Sequence, residues 1–156
     1  MRTLLTTLVL TLCITGAAVA GPSAFAGLTL PLGDLADTAD MGYHGGLRLH
    51  YPITPLVFSA GPQVAYHRLP GNGDDVTSFL ELMASGRVTL PAGPTVFAGL
   101  GYALPGGEIG GVDIDGDAEF VWALGTGTSL MLLDLQAEWH HLGDADFVTI
   151  SAGLGF

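Results

Sequence analysis

The chain has 156 residues, a formal net charge of −11, four arginines and no lysine. Its length suits one domain, and so few cations exclude a nucleic-acid partner, because phosphate binding needs clustered Lys and Arg. Only 12% of the residues are charged while 49% are hydrophobic, a balance better suited to a chain solvated partly by lipid than to a water-soluble globule.

Residues 1–20, MRTLLTTLVLTLCITGAAVA, are expected to be a secretory signal peptide. Arg2 supplies the positive start, Leu4 to Ile14 the apolar stretch, and Ala18-Val19-Ala20 the small-x-small cleavage pattern. The apolar run is too short for a membrane-spanning helix and ends in small residues. Cleavage after Ala20 leaves residues 21–156 as one domain, with Ala24-Phe25-Ala26 a second candidate site. Cys13, the only cysteine, lies inside the signal, and Leu12 before it is not the small residue a lipoprotein needs. Disulfide and thiolate chemistry are therefore not expected in the mature chain.

Beyond residue 20 the hydrophobic period is two, broken by Gly, Pro and Asp clusters, which is the strand signature. Eight strands are predicted, at 23–32, 41–52, 56–67, 77–90, 95–104, 118–128, 131–141 and 147–156. In the second, Tyr43, Gly45, Leu47, Leu49 and Tyr51 alternate with His44, Gly46, Arg48 and His50. In the fourth, Leu80, Leu82, Ala84 and Val88 share one face, and Phe79, Glu81, Met83, Ser85 and Arg87 the other. The seventh is the most regular: Leu133, Leu135, Ala137 and Trp139 oppose Asp134, Gln136, Glu138 and His140.

A soluble sandwich also alternates, so three further features decide. Strands of about ten residues exceed the usual five or six and match what a tilted strand needs to cross a bilayer. The connections alternate long and short, about eight, nine and thirteen residues after strands one, three and five against two to four after the even ones, as in outer-membrane barrels. Twelve of the fifteen acidic residues lie in or beside the odd-numbered connections, and the other three, Glu81, Asp134 and Glu138, lie on polar faces. The four tyrosines and two tryptophans lie on the apolar face, mostly near strand ends, like the aromatic girdles of such barrels. The expected fold is all-β, an eight-stranded antiparallel up-and-down transmembrane β-barrel. Its odd-numbered connections are expected outside the cell, and the turns at Ile53–Pro55 and Pro91–Pro94 in the periplasm. Insertions at Gly110, in the longest loop, should be tolerated because no strand pairing is expected there.

The last strand, DFVTISAGLGF, turns Val148, Ile150, Ala152, Leu154 and Phe156 to one face. A barrel removes its strand edges by closing the last strand on the first. This pattern resembles the C-terminal signal that the bacterial barrel-assembly machinery reads in its clients. PAGPTVFAGLGYAL and LDLQAEWHHLGDADFVTISAGLGF resemble the fifth strand and last hairpin of the small OmpA-type outer-membrane β-barrels, and the resemblance covers most of residues 21–156. It implies a bacterial outer-membrane protein in contact with outer-membrane lipid and lipopolysaccharide, acting as a monomer.

Eight strands leave an interior just wide enough to be filled by side chains. The inward set is Arg48, Arg87, Glu81, Asp134 and Glu138, with Gln63, Gln136, His44, His50 and His140. Arg87 and Asp134 lie similarly far from the periplasmic ends of their strands and should share a depth. A buried charge is costly unless paired, so the two arginines and three carboxylates are expected to form an ion-pair plug. A narrow ion path is the competing reading.

VDIDGDAE has Asp-x-Asp spacing, but Ala118 stands where an EF-hand needs Gly and Leu124 where it needs Glu. A solvated acidic loop is expected, with no metal or cofactor beyond weak cation bridging to lipopolysaccharide. His140-His141 prompts a lipid-modifying enzyme, since lipid A 3-O-deacylases are also eight-stranded barrels with a His-x-Ser motif. Here Leu142 and Gly143 stand two places after the two histidines, so that nucleophile is missing. Adjacent histidines on a strand also face opposite ways. The expected protein is non-enzymatic, without catalytic residues, and serves envelope integrity or surface interaction through Gly33–Asp40, Arg68–Val76 and Pro105–Asp117. A soluble barrel holding an apolar ligand would need apolar residues inside, which the seventh strand contradicts.

Overall fold

The computed structural model describes residues 21–54, 58–71, 76–90, 94–109, 112–130 and 133–155. The alternating stretches form β1 (Gly21–Leu32), β2 (Gly42–Thr54), β3 (Phe58–Pro70), β4 (Val76–Thr89), β5 (Pro94–Ile109), β6 (Val112–Asp115), β7 (Glu119–Leu130), β8 (Leu133–Leu142) and β9 (Ala145–Gly155). A 3-10 turn, Gly33–Asp37, follows β1.

Neighbouring strands are antiparallel. β1 pairs with β2 on one side and β9 on the other, and β4 pairs with β5. All the strands except β6 therefore close into an eight-stranded barrel. Among the described residues closure leaves no strand of the ring without a neighbour on both sides, which is the condition for a sheet in hydrocarbon. Cross-strand partners can be followed from Ser23 through Arg48, Gln63, Met83, Gly101, Val121 and Leu142 to Ala145. Because Asp146 faces Leu32, that path meets β1 again at position 33. A stagger from position 23 to position 33 tilts the strands about the barrel axis.

The wall is apolar outside and polar inside. Leu28, Leu47, Leu82, Leu100, Leu124, Ile150 and Leu154 point outward and are 47% to 59% exposed, while Arg48, Gln63, Glu81, Gln136 and Glu138 are buried within. A continuous apolar belt of this kind is a liability in water and stable in lipid. Val148, Ala152 and the two outward residues Ile150 and Leu154 of β9 face out as expected; Phe156 lies outside the described residues. Inward glycines clear space for large neighbours: a Cβ on Gly46 would meet the Phe25 ring at 2.7 Å, and one on Gly125 would meet Cγ of Glu138 at 2.6 Å.

Four expectations need correction. β3 continues to Pro70 and β5 to Ile109, so two connections are shorter than expected. Backbone pairing carried these strands onward without needing side-chain alternation. The longest connection is itself a hairpin, since β6 pairs Val112–Asp115 with Gly106–Ile109 of β5; strand pairing thus runs up to both sides of Gly110. The last connection is a tight turn at Gly143-Asp144, with Leu142 facing Ala145. Gly143 supplies a φ of +57°, which side-chain-bearing residues rarely adopt. Arg68, expected at the head of a loop, lies within β3. Residues 1–20 and Gly93 are also outside the described residues.

Candidate functional site: the lumen and its rim

Strand parity sends one side chain in two to the interior, and the stagger decides which of them meet. Nearest the end with short turns, Arg87 on β4 reaches across to Asp134 on β8. Its two terminal nitrogens donate to the carboxylate at 2.9 and 3.3 Å, and one also donates to Ser129 Oγ at 2.6 Å. The two charged side chains keep 18% and 20% of their surface exposed, so this pair sits at a mouth. His50, nearby on β2, bonds Ser85 at 2.9 Å.

Arg48 occupies the middle. Its Nε donates to Gln63 at 2.7 Å, one terminal nitrogen to Gln136, and the other to Glu138 at 3.2 Å. The guanidinium carbon lies 4.7 Å from the Phe25 ring centre and 5.6 Å from that of Phe97. The planar fork thus has a polar partner on each nitrogen and aromatic contact with its carbon. Three neighbours on two other strands, β3 and β8, hold one cation, which locks the wall across the lumen.

The third layer is histidine-rich. His140 Nδ1 lies 3.2 Å from Glu81, and its Nε2 lies 3.2 Å from Thr149 and 3.6 Å from Glu138. Glu81 therefore pairs with a histidine rather than with either arginine, which corrects the expected plug. Above it Thr29 Oγ1 bonds His44 Nδ1 at 3.2 Å and His67 Nδ1 at 3.1 Å. A hydroxyl carries one proton and two lone pairs, so at most one imidazole accepts from it and at least one donates to it. His67 stacks on Phe79 at 4.5 Å and His140 on Phe147 at 4.7 Å. Among the described residues His67 Nε2 and Glu81 Oε1 have no protein partner. Both residues line a cavity of about 10 Å³, room for a single water that would satisfy them.

All ten expected inward residues lie inside. Sequence reasoning missed His67, which shares parity with Gln63, and the lumen rings Phe25, Phe97 and Phe147, which stood on faces taken as small or mixed. Outside, Trp122 and Trp139 meet edge to face at 4.8 Å, and His141 bonds Asp146 at 2.8 Å beside them. His140 and His141 face opposite ways, one into the plug and one to the exterior, as adjacent strand residues must.

A closed eight-stranded ring with an apolar exterior and a filled polar lumen is one known architecture. The chain has the fold of the small outer-membrane β-barrels. No protein-family model and no curated protein matches its sequence, so the likeness is structural. A designed transmembrane β-barrel aligns with a TM-score of 0.60 at 14% identity, covering 87% of this chain and 95% of that one. Ail of Yersinia pestis in a bilayer nanodisc gives 0.59 at 12%, covering 88% and 99%. Neisserial surface protein A gives 0.57 at 14%, covering 87% and 94%.

Proposed function

We propose that the protein is a sealed, non-catalytic barrel of the bacterial outer membrane that acts through its acidic loops at the cell surface. The lumen carries this reading. Its charged groups pair with one another, from Arg87–Asp134 through Arg48–Glu138 to His140–Glu81, and the cavity beside Glu81, Glu138 and His140 is only water-sized. A barrel built this way is an anchor, and what it presents is the loop end.

The loop charges indicate the kind of partner. Ail of Yersinia pestis has been crystallised with the heparin analogue sucrose octasulfate. Here the loops carry Asp34, Asp37, Asp40, Asp74, Asp75, Glu108, Asp113, Asp115, Asp117 and Asp144, a field that repels polyanions. A basic surface, or an anionic one bridged by divalent cations, fits better. The test reconstitutes the mature chain in a planar bilayer and on vesicles. The expected result is no stepwise conductance, unchanged lipid A by mass spectrometry, and salt-sensitive capture on polylysine beads but not on heparin beads. Steady channel steps would instead establish the narrow pore, and deacylated lipid A an enzyme.

A further inference from the structure

Outside the lumen the mature chain has one cation. Arg2 lies in the expected signal, and Arg48 and Arg87 are held inside the barrel. Arg68 is exposed on the outer wall of β3 and has no hydrogen bond, ion pair or ring contact among the described residues. Its place is specific. It faces Tyr43 directly across the β2–β3 ladder, within the 4.5–5.5 Å or so that separates Cβ atoms of such pairs. Tyr66 lies two residues below it on the same face. Carried round the barrel, the stagger sets Tyr43, Tyr66, Tyr102 and Trp122 at nearly one height on the outward face, and Arg68 about one residue above them. Aromatic rings of that kind mark the headgroup boundary. A guanidinium just above them, on a stem that can snorkel, stands among lipid headgroups. The loop carboxylates Asp37 and Asp40 precede Tyr43 and stand higher.

We propose that Arg68, with the hydroxyls of Tyr43 and Tyr66, forms a docking site for the phosphate of an outer-leaflet lipid. The guanidinium fork matches phosphate oxygens in two parallel hydrogen bonds, and the phenols add donors from below. In a chain of net charge −11, this single cation gives anionic lipid one fixed point of attachment. It orients the barrel about its axis relative to the lipid it carries.

The test titrates the folded full-length mature barrel in detergent with bis-phosphorylated lipid A, with the same lipid stripped of phosphate, and with inorganic phosphate alone, read by native mass spectrometry. Wild type should prefer the phosphorylated lipid. Arg68→Gln should weaken that binding about tenfold and leave the stripped lipid unaffected, while Arg68→Lys should recover part of it. Tyr43→Phe supplies an independent variant, expected to lose a smaller factor. Equal binding of phosphorylated lipid A by wild type and Arg68→Gln would overturn the site. Competition by millimolar inorganic phosphate as strong as that by lipid would overturn the lipid as its source.

Discussion

At the scale of single residues, Glu138 is the joint of the plug. It accepts from Arg48, stands 3.6 Å from His140, and sits opposite Gly125. Glu138→Ala leaves the Arg48 cation buried with one partner fewer, and breaking a buried pair in this way costs roughly 3–5 kcal/mol. The urea midpoint of the barrel should fall accordingly, and an unchanged midpoint would mean Glu138 is not engaged. Replacing both partners, as Arg48→Met with Glu138→Leu, should recover much of the loss, because desolvation no longer opposes the fold. Gly125→Ala tests the same spot from the other wall. Its Cβ would come within 2.6 Å of Glu138 Cγ and of the Ala137 carbonyl oxygen, so overpacking should destabilise the barrel by about 1–3 kcal/mol; a heat-modifiable gel shift at unchanged temperature would contradict it. Parity alone made the inward residues legible, and His67 could have been read the same way. The partners were less so. Arg87 and Asp134 were expected at one depth from their distance to the strand ends, and they meet across the barrel from strands that do not touch in the sheet. Nothing in local sequence announces that Glu81 takes His140 rather than an arginine.

At the scale of elements, strands were readable wherever a polar face alternated with an apolar one. β8, with Asp134, Gln136, Glu138 and His140 inward, is the plainest case. Readability failed where backbone pairing proceeds without alternation. Pro105, Gly106 and Gly107 look like loop, yet they extend β5 and two of them pair with β6. The same blindness hid the tight turn at Gly143-Asp144, because a left-handed glycine is one residue among 24 glycines. β9 bears a prediction about assembly. It is paired on both sides, with Leu154 facing Ala24 on β1 and Leu133 on β8, and so it closes the ring. If its outward row ending in Phe156 is what the assembly machinery reads, deleting Phe156 should leave export intact and insertion poor. Fractionation should then show less heat-modifiable barrel in the membrane and more chain in the periplasm. Normal insertion of the deletion variant would assign the row to closure alone.

At the scale of the whole molecule, charge and connection length distinguish the two ends of the barrel. One end of the barrel carries the short connections after β2, β4 and β7, together with the pairing of Ser23 with Gly155. The other carries the 3-10 turn, the β5–β6 hairpin and the acidic residues. Moving those carboxylates through hydrocarbon is costly, but a chain exported to the periplasm and folded into the outer membrane must push one end across. Long polar hairpins cross during insertion and stay outside in barrels of this kind, which would put the Ser23–Gly155 end of the closing seam in the periplasm and the Leu32–Asp146 end outside. A label at Gly110, between the paired strands β5 and β6, should therefore react on intact cells, and a label at Gly93 only after lysis. Short insertions at Gly110 should be tolerated because they lengthen the connection between Ile109 and Val112 without breaking a ladder pair. Reaction at Gly93 but not Gly110 on intact cells would reverse the orientation and, with it, place Arg68 at the inner leaflet. Reaction at neither, with the chain recovered from the soluble periplasm, would refute the membrane assignment that the apolar belt supports.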